Sequence, residues 1–382
     1  MKKLAIITTH PIQYNAPLFK LISGRDKIKL KVFYTWEQSK EKVYDKKFGK
    51  EIKWDIPLLE GYDYTFVKNT AKNPGSGHFR GVINPSLNKE IENWKADAIL
   101  VYGWSHYSHF KAMRYFKRKI PVYFRGDSTI IDSLSFFRKL ARLVTLRFIY
   151  RFIDCAFYVG TNNKAYYLKY GLKENQLFFA PHAIDNYRFS DNQAGHIDKA
   201  SEIRKNLGFS KDDIIFLFAG KFEKIKNPLL LLDAAIKNQK YKFVFVGNGE
   251  LETLMKKRSK KYVNIKFLPF QNQTQMPVIY NLCDIYILPS QGKGETWGLA
   301  VNEAMACGKA ILVSDKVGCA VDLVENGKNG YIFKSDDIND LNKKIKLVKN
   351  NYGKFGKNSK KIIEDWSFEE IADTIENTVF IN

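Results

Sequence analysis

The chain has 382 residues, 45% of them apolar and 27% charged. That size suits two ordinary domains, and the balance excludes a disordered or fibrous chain. The net charge of +22, from 62 basic against 40 acidic residues, sets up a field that attracts polyanions such as nucleic acid, anionic lipid or phosphate-bearing substrates. Cys155, Cys283, Cys307 and Cys319 are widely separated and mostly in apolar runs. They exclude a disulfide framework or a metal-binding spacing and read as reduced core thiols of a cytoplasmic protein.

The N-terminal "MKKLAIITTH" carries too short an apolar run for a secretory segment and reads as a first strand. Short runs rich in Val, Ile and Phe follow: "KLKVFYT", "ADAILVYGW", "IPVYFRGDS", "DCAFYVGT" and "QLFFAPHAID". Continuous apolar runs of this length fit strands buried on both faces of a parallel sheet. Helix-length segments such as "NAPLFKLISG" and "SHFKAMRYFKRK" lie between them. Within the first half, "FFRKLARLVTLRFIYRF" sets Arg138 and Arg142 on one side of a helix and Arg147 and Arg151 nearly opposite. The faces do not split cleanly, so the reading is a core-packed helix with basic ends, against the alternative of an interfacial membrane helix. His106 and His109 are three apart with no third ligand nearby, and they read as structural rather than metal-binding.

Residues 185–213 are polar and lack a strand, which marks a domain boundary. A second series of runs follows: "DIIFLFAGKF", "YKFVFVGNG", "NIKFLPF", "CDIYILPS", "KAILVSD" and "GYIFK", again interleaved with helical segments such as "QMPVIYNLC". The expected architecture is α/β, with two doubly wound, Rossmann-like domains over 1–190 and 191–355 and C-terminal helices over 356–382. Lysines cluster at Lys40–Lys53, Lys256–Lys261 and Lys354–Lys361 without forming a polybasic tail. They read as a solvated basic surface or as attraction to an anionic membrane face.

In such sheets ligands sit beyond the carboxyl ends of the strands. "FAGKFEKIKNP" offers Gly220 for close backbone approach and Lys221 and Lys226 for a diphosphate; the alternative is two exposed lysines in a lysine-rich chain. In "SQGKGETWGLAVNEAMACG", a strand gives way to a loop and then to a helix starting at Gly298 and ending at Gly308. The first turn of that helix is an anion site. Glu295 precedes it and Glu303 lies inside it, roughly 10 Å apart at about 1.5 Å rise per residue. One carboxylate would take sugar hydroxyls and the other ribose hydroxyls, with the phosphates between them.

These segments, with "VGCAVDLVENGKNGYIF" after them, resemble the retaining nucleotide-sugar glycosyltransferases of family 4, which have the GT-B fold of two such domains facing a cleft. The resemblance implies that Glu295 binds the donor sugar and Glu303 the ribose. It implies that Lys221 and Lys226 hold the phosphates beside Gly220 and the backbone of Gly298 and Leu299, with Pro269, Thr296 and Trp297 also on the donor. The first half carries "THPIQYNAPLF", which is similar to a subset of the family with His-Pro-Ile-Gln-Tyr in that loop. His10, Gln13, Tyr14, Arg125 and Asp127 fall on the acceptor side. For Asp127, a catalytic or acceptor-binding role and a helix N-cap both stay open.

The resemblance implies transfer of a sugar, with retained configuration, from a nucleotide diphosphate sugar to a hydroxyl of a glycan or lipid-linked acceptor in cell-surface polysaccharide synthesis. Glu295, Lys226, Lys221 and Asp127 are the expected catalytic residues, and the leaving diphosphate itself would accept the acceptor's proton. No Asp-x-Asp pair occurs, so neither a metal nor another cofactor is expected, and a uridine donor is favoured over a guanosine one. The expected location is cytoplasmic, at the inner face of the cell membrane with peripheral contact to anionic lipid, and no nucleic-acid partner is expected. The alternatives are a nucleotide-sugar epimerase on the same fold and a non-catalytic basic protein that binds RNA or membrane.

Overall fold

The computed structural model describes residues 1–37, 43–45, 50–131, 135–190, 195–292 and 294–381. Much of the Lys40–Lys53 cluster and residues 191–194 of the polar boundary therefore lie outside the described residues. In chain order the strands are β1 (Lys3–Thr8), β2 (Lys29–Tyr34), β3 (Val43–Asp45), β4 (Lys50–Ile52), β5 (Asp63–Phe66), β6 (Ala98–Tyr102), β7 (Val122–Arg125), β8 (Cys155–Tyr158) and β9 (Leu177–Phe179). They continue as β10 (Ile215–Ala219), β11 (Lys242–Val246), β12 (Ile265–Leu268), β13 (Ile285–Leu288), β14 (Ala310–Ser314) and β15 (Gly330–Phe333). Every apolar run singled out in the sequence is a strand. β3, β4 and β5 are additions. β5 reads "DYTF", half-exposed at the edge of its sheet, so it lacks the continuous apolar character of a doubly covered strand.

The chain divides into two compact units. Unit 1 comprises Met1–Val43, Ile56–Pro181 and Phe368–Asn382; unit 2 comprises Tyr44–Asp55 and His182–Ser367. The sheet of unit 1 has the order β5-β2-β1-β6-β7-β8-β9, and that of unit 2 the order β12-β11-β10-β13-β14-β15. Both are parallel throughout. Each is a Rossmann-like domain with strand order reversing once, between β1 and β6 in unit 1 and between β10 and β13 in unit 2. The helix Phe368–Ile381 closes unit 1. There Glu376, almost wholly buried, lies 3.1 Å from Arg25 Nε and 3.2 Å from Lys27 Nζ. Arg125 ties Ala180 and Pro181 to the same unit, donating to their carbonyls at 2.8 and 2.9 Å. The helix Asn186–Phe189 already belongs to unit 2, where Asn186 Nδ2 donates to the carbonyls of Ile363 and Trp366 at 3.1 Å.

One expectation is overturned. The helix Phe136–Tyr150 buries only Leu146, Ile149 and Tyr150, so it is not packed in the core along its length. Its first two turns stand in solvent on every side, with Leu143 half-buried. All four cysteines are free and buried. Burial pushes the Cys155 thiol up to about 11 and that of Cys283 to about 12, which keeps both protonated and unreactive at neutral pH. No helix among the described residues is long and apolar enough to cross a membrane.

Candidate functional site

At the reversal point of a doubly wound sheet the loops leaving adjacent strands splay apart and open a crevice. In unit 2 these are the loops after β10 and β13. The first runs through Gly220, Lys221 and Lys226. It is held by backbone bonds to the next strand-end loop: Gly220 N–H donates to Val246 at 3.0 Å and Phe222 N–H to Asn248 at 3.0 Å. A Cβ on Gly247 would lie 2.1 Å from the Gly220 carbonyl oxygen, so the two loops touch backbone to backbone and only glycine fits. Lys221 and Lys226 are half-buried. The helix Pro228–Lys237 follows, with Asn227 in the left-handed region at its start.

The loop after β13 brings Glu295 against Lys226, and Nζ donates to Oε2 in a direct ion pair. Ser290 Oγ donates to the same oxygen at 2.7 Å. Glu295 is 8% exposed, and a carboxylate this buried needs such partners. The helix Leu299–Ala306 begins at Gly298, whose φ of +101° an L side chain rarely adopts; its first-turn N–H groups carry the positive end of the helix dipole. Glu303 is 3% exposed and accepts a 2.7 Å hydrogen bond from Tyr280 Oη. The two acids marked out in the sequence therefore have protein partners, Glu295 in Lys226 and Ser290 and Glu303 in Tyr280.

The remaining donor-side residues fall differently. Thr296 is half-buried beside the pair. Trp297 is buried, its indole N–H donating to Asn302 Oδ1 at 2.8 Å, with its ring against His182 and Trp366 at centroid distances of 5.6 and 5.2 Å. Its side chain serves the fold. Asn302 extends the tie, donating to the His182 carbonyl at 2.8 Å. Pro269 is exposed just past β12. Sequence reasoning missed Ser290, Tyr280 and Asn302. Ser290 ends the apolar run that named β13, but Tyr280 and Asn302 act through contacts that no local pattern encodes.

Unit 1 has its own reversal point. His10, Gln13 and Tyr14 lie half-buried on the loop after β1, and His10 rests edge-on against Trp36 at 5.7 Å. Burial and the neighbouring His106 lower the His10 pKa to about 4. His109 is fully buried. Its Nδ1–H donates to the Gly103 carbonyl at 2.9 Å, leaving Nε2 to accept from Thr35 Oγ1 at 2.9 Å. This is the neutral tautomer of a structural histidine. Beyond β6 and β7 lies a cavity of about 440 Å³ whose walls include Trp104, Asp127, Arg142, Tyr150, Tyr166 and Tyr167. Asp127 is exposed within it. The next helix starts nine residues later behind Ser135, so Asp127 does not cap it. Arg125 sits beside this cavity but is buried, its guanidinium spent on the two carbonyls described above. The loop carrying Asp127 is braced by Tyr167 Oη, which accepts from Gly126 N–H at 2.9 Å and donates to the Gly126 carbonyl at 2.8 Å. No group of three or more metal-binding side chains occurs among the described residues.

A pH dependence follows from His109. Burial holds its pKa down to about 4 in the fold, while the unfolded chain takes up the proton near 6.5. Its contribution is therefore fully present above about pH 6.5 and is lost as pH falls toward 4, amounting to on the order of 3 kcal/mol. Urea unfolding at pH 7 and pH 4.5 should show that fall, and His109→Gln should reduce it, with His10 supplying the remainder.

The comparisons with known proteins bear on this geometry. Residues 199–365 match the family described as Glycosyl transferases group 1, a span that includes both loops of the crevice. The chain is 28% identical over 247 residues to the N,N'-diacetylbacillosaminyl-diphospho-undecaprenol alpha-1,3-N-acetylgalactosaminyltransferase of Campylobacter jejuni, covering 60% of this chain and 62% of that one. It is 30% identical over 193 residues to the lipopolysaccharide 1,2-N-acetylglucosaminetransferase of Salmonella typhimurium, covering 46% of this chain and 50% of that one. The matches thus span less than two thirds of these curated relatives. Among solved structures, Anabaena Alr3699/HepE in complex with UDP superposes with a TM-score of 0.75 at 16% identity, covering all of both chains. The lipopolysaccharide outer core galactosyltransferase WaaB does so with a TM-score of 0.69 at 12% identity over 99% of each. The fold is GT-B.

Proposed function

We propose that this chain, whose residues 199–365 form a glycosyl transferases group 1 domain, moves a sugar from a nucleoside diphosphate sugar to a hydroxyl of a glycan or lipid-linked acceptor. The reading includes retention of configuration, a uridine donor, no metal, and a peripheral location at the cytoplasmic face of the membrane. The observation that carries it is the Lys226–Glu295 pair at the reversal point of the unit 2 sheet, next to the start of the Leu299–Ala306 helix. A diphosphate there would meet Lys221, Lys226 and the backbone N–H groups of that helix. Its departure is eased because charge developing on it is already faced by fixed positive groups, a contribution of about 3 kcal/mol for each well-placed donor. Glu295 would hold the sugar hydroxyls and Glu303 the ribose, while the leaving diphosphate takes the acceptor's proton. The aromatic cavity of unit 1, with Asp127 and Arg142 in its wall, is where an acceptor sugar would stack. An epimerase would need no such second site.

The test is nucleoside diphosphate release from a panel of nucleotide sugars, with and without acceptor, in the presence of EDTA. Acceptor-dependent release from a uridine donor that survives EDTA is the expected result. Strict dependence on added manganese would contradict the metal-free mechanism, and turnover to an epimer without acceptor would replace the transferase with an epimerase.

A further inference from the structure

The two loops that bring Lys226 and Glu295 together are tied by a third. Asp336 lies in the turn between β15 and the helix Ile338–Val348. Its φ is +61°, in the left-handed region, where a glycine would sit without strain. The turn does not need this side chain to start the helix. Asp337 does that, accepting from the N–H groups of Asn339 and Asp340 at 3.0 Å each. The Asp336 carboxylate instead reaches away from its own turn. Its Oδ1 accepts from Asn227 Nδ2 at 2.8 Å and from Gln291 Nε2 at 2.7 Å. Asn227 follows Lys226 directly and is itself left-handed, at φ +50°. Gln291 follows Ser290, whose hydroxyl holds Glu295. Two further bonds join the same stretches: Gln291 N–H donates to the Ile225 carbonyl at 2.8 Å, and Ser335 Oγ to the Ser290 carbonyl at 3.3 Å. Five non-glycine residues among the described ones have left-handed backbone, and two of these five meet here over one hydrogen bond. Strain of this kind persists where the surrounding structure holds it for a purpose.

We propose that Asp336 is a positioning residue, a single carboxylate oxygen that locks the loop after β10 to the loop after β13 and so holds Lys226 and Glu295 at their working separation. The inference rests on the reading that this pair acts on the donor. The rival role is an ordinary stabilising contact, and exposure separates the two. Asp336 and Gln291 are both exposed, so water is a ready partner for each in the unfolded chain and their bond adds little to overall stability. Its effect on position is not small, because a displacement of about 1 Å at a reacting centre can cost roughly a hundredfold in rate. The bridge uses the oxygen rather than the charge, since both of its partners are neutral amides. An asparagine oxygen would accept the same two bonds, and asparagine tolerates the left-handed region. A glycine would fit the backbone and lose the bridge.

The test compares Asp336→Gly and Asp336→Asn with the parent, each as the full chain. Amide hydrogen exchange in the loops after β10 and β13 should be at least about fivefold faster in Asp336→Gly, and like the parent in Asp336→Asn, with the strands of unit 2 unchanged in both. In nucleoside diphosphate release from the nucleotide sugar, Asp336→Gly should lower kcat about tenfold or more while KM for the donor stays within about threefold, because the loss is in aim at the transition state rather than in donor uptake. Asp336→Asn should restore kcat to within about threefold of the parent. Gln291→Ala removes one of the two bonds and should fall between them, and adding it to Asp336→Gly should cost nothing further. Thermal midpoints of all the variants should match the parent. Loops whose exchange ignores the glycine, or an asparagine variant as impaired as the glycine one, would overturn the proposal. So would a lowered midpoint with kcat unchanged, since the bond would then serve stability alone. A parent that shows no acceptor-dependent turnover would sink the transferase reading by itself, because the exchange measurement decides the bridge without any activity.

Discussion

Glu295→Gln should lower kcat for sugar transfer by about two to three powers of ten, with a smaller change in stability. The substitution keeps the volume and removes the charge. Ser290 can still donate to the amide oxygen, but Lys226 loses the carboxylate whose Oε2 it now engages. In the proposed reaction both side chains act on the donor, so Lys226→Ala should cost a similar factor. Because the two residues form one paired unit, the double variant Lys226→Ala with Glu295→Gln should fall well short of the product of the single effects. Steady-state kinetics on the four proteins of this cycle decide the matter. Single variants within threefold of the parent would remove the pair from the mechanism.

Gly318→Ala should do comparable damage from outside the chemistry. A Cβ at this position would lie 1.8 Å from the carbonyl oxygen of Thr296 and 2.3 Å from its carbon. Both are backbone atoms that cannot swing away as a side-chain tip would. The same turn carries the loop's supports: Gly318 N–H donates to the Glu295 carbonyl at 3.2 Å and Cys319 N–H to the Trp297 carbonyl at 2.9 Å. Making room for a methyl group means displacing the stretch that aims Glu295. Overpacking of this kind costs about 3 kcal/mol, and a misplacement of about 1 Å at a reacting centre can cost roughly a hundredfold. We expect a lowered unfolding midpoint together with a hundredfold loss of kcat. Gly353→Ala is the matched control. It lies in the helix Tyr352–Glu364 with no atom within 4 Å of the added carbon, so it should be neutral or slightly stabilising.

The fold was readable because parallel strands covered on both faces must be apolar at every position, and such runs stand out without any periodicity. β5 escaped because its residues are partly wet. The Lys226 and Glu295 loops were readable because strand-end glycines, lysines and acids are local features. Their partnership is not local, since the two residues are 69 apart and meet only through the pairing of β10 with β13. The same holds for Gly318, whose neighbour across the gap is Thr296. The Phe136–Tyr150 helix misled for a different reason. Its arginines fall on both sides, Arg138 and Arg142 against Arg147 and Arg151, so no polar face stood out to show that Phe137, Leu140 and Val144 stay exposed. The cut between the units followed Arg125, whose bonds to Ala180 and Pro181 hold that stretch to the first sheet, and a polarity pattern does not report such ties.

The ion pairs of Arg25 and Lys27 with Glu376 tie the segment before β2 to the helix Phe368–Ile381. As the ribosome works through the message, unit 1 is begun before unit 2 and completed after it. Its seven strands are all translated long before Phe368–Ile381 emerges to cover them. Unit 2 is nearly continuous and has every one of its residues in hand before that moment. Unit 2 can therefore close while unit 1 still lacks one of its helices, although more of unit 1 is made first.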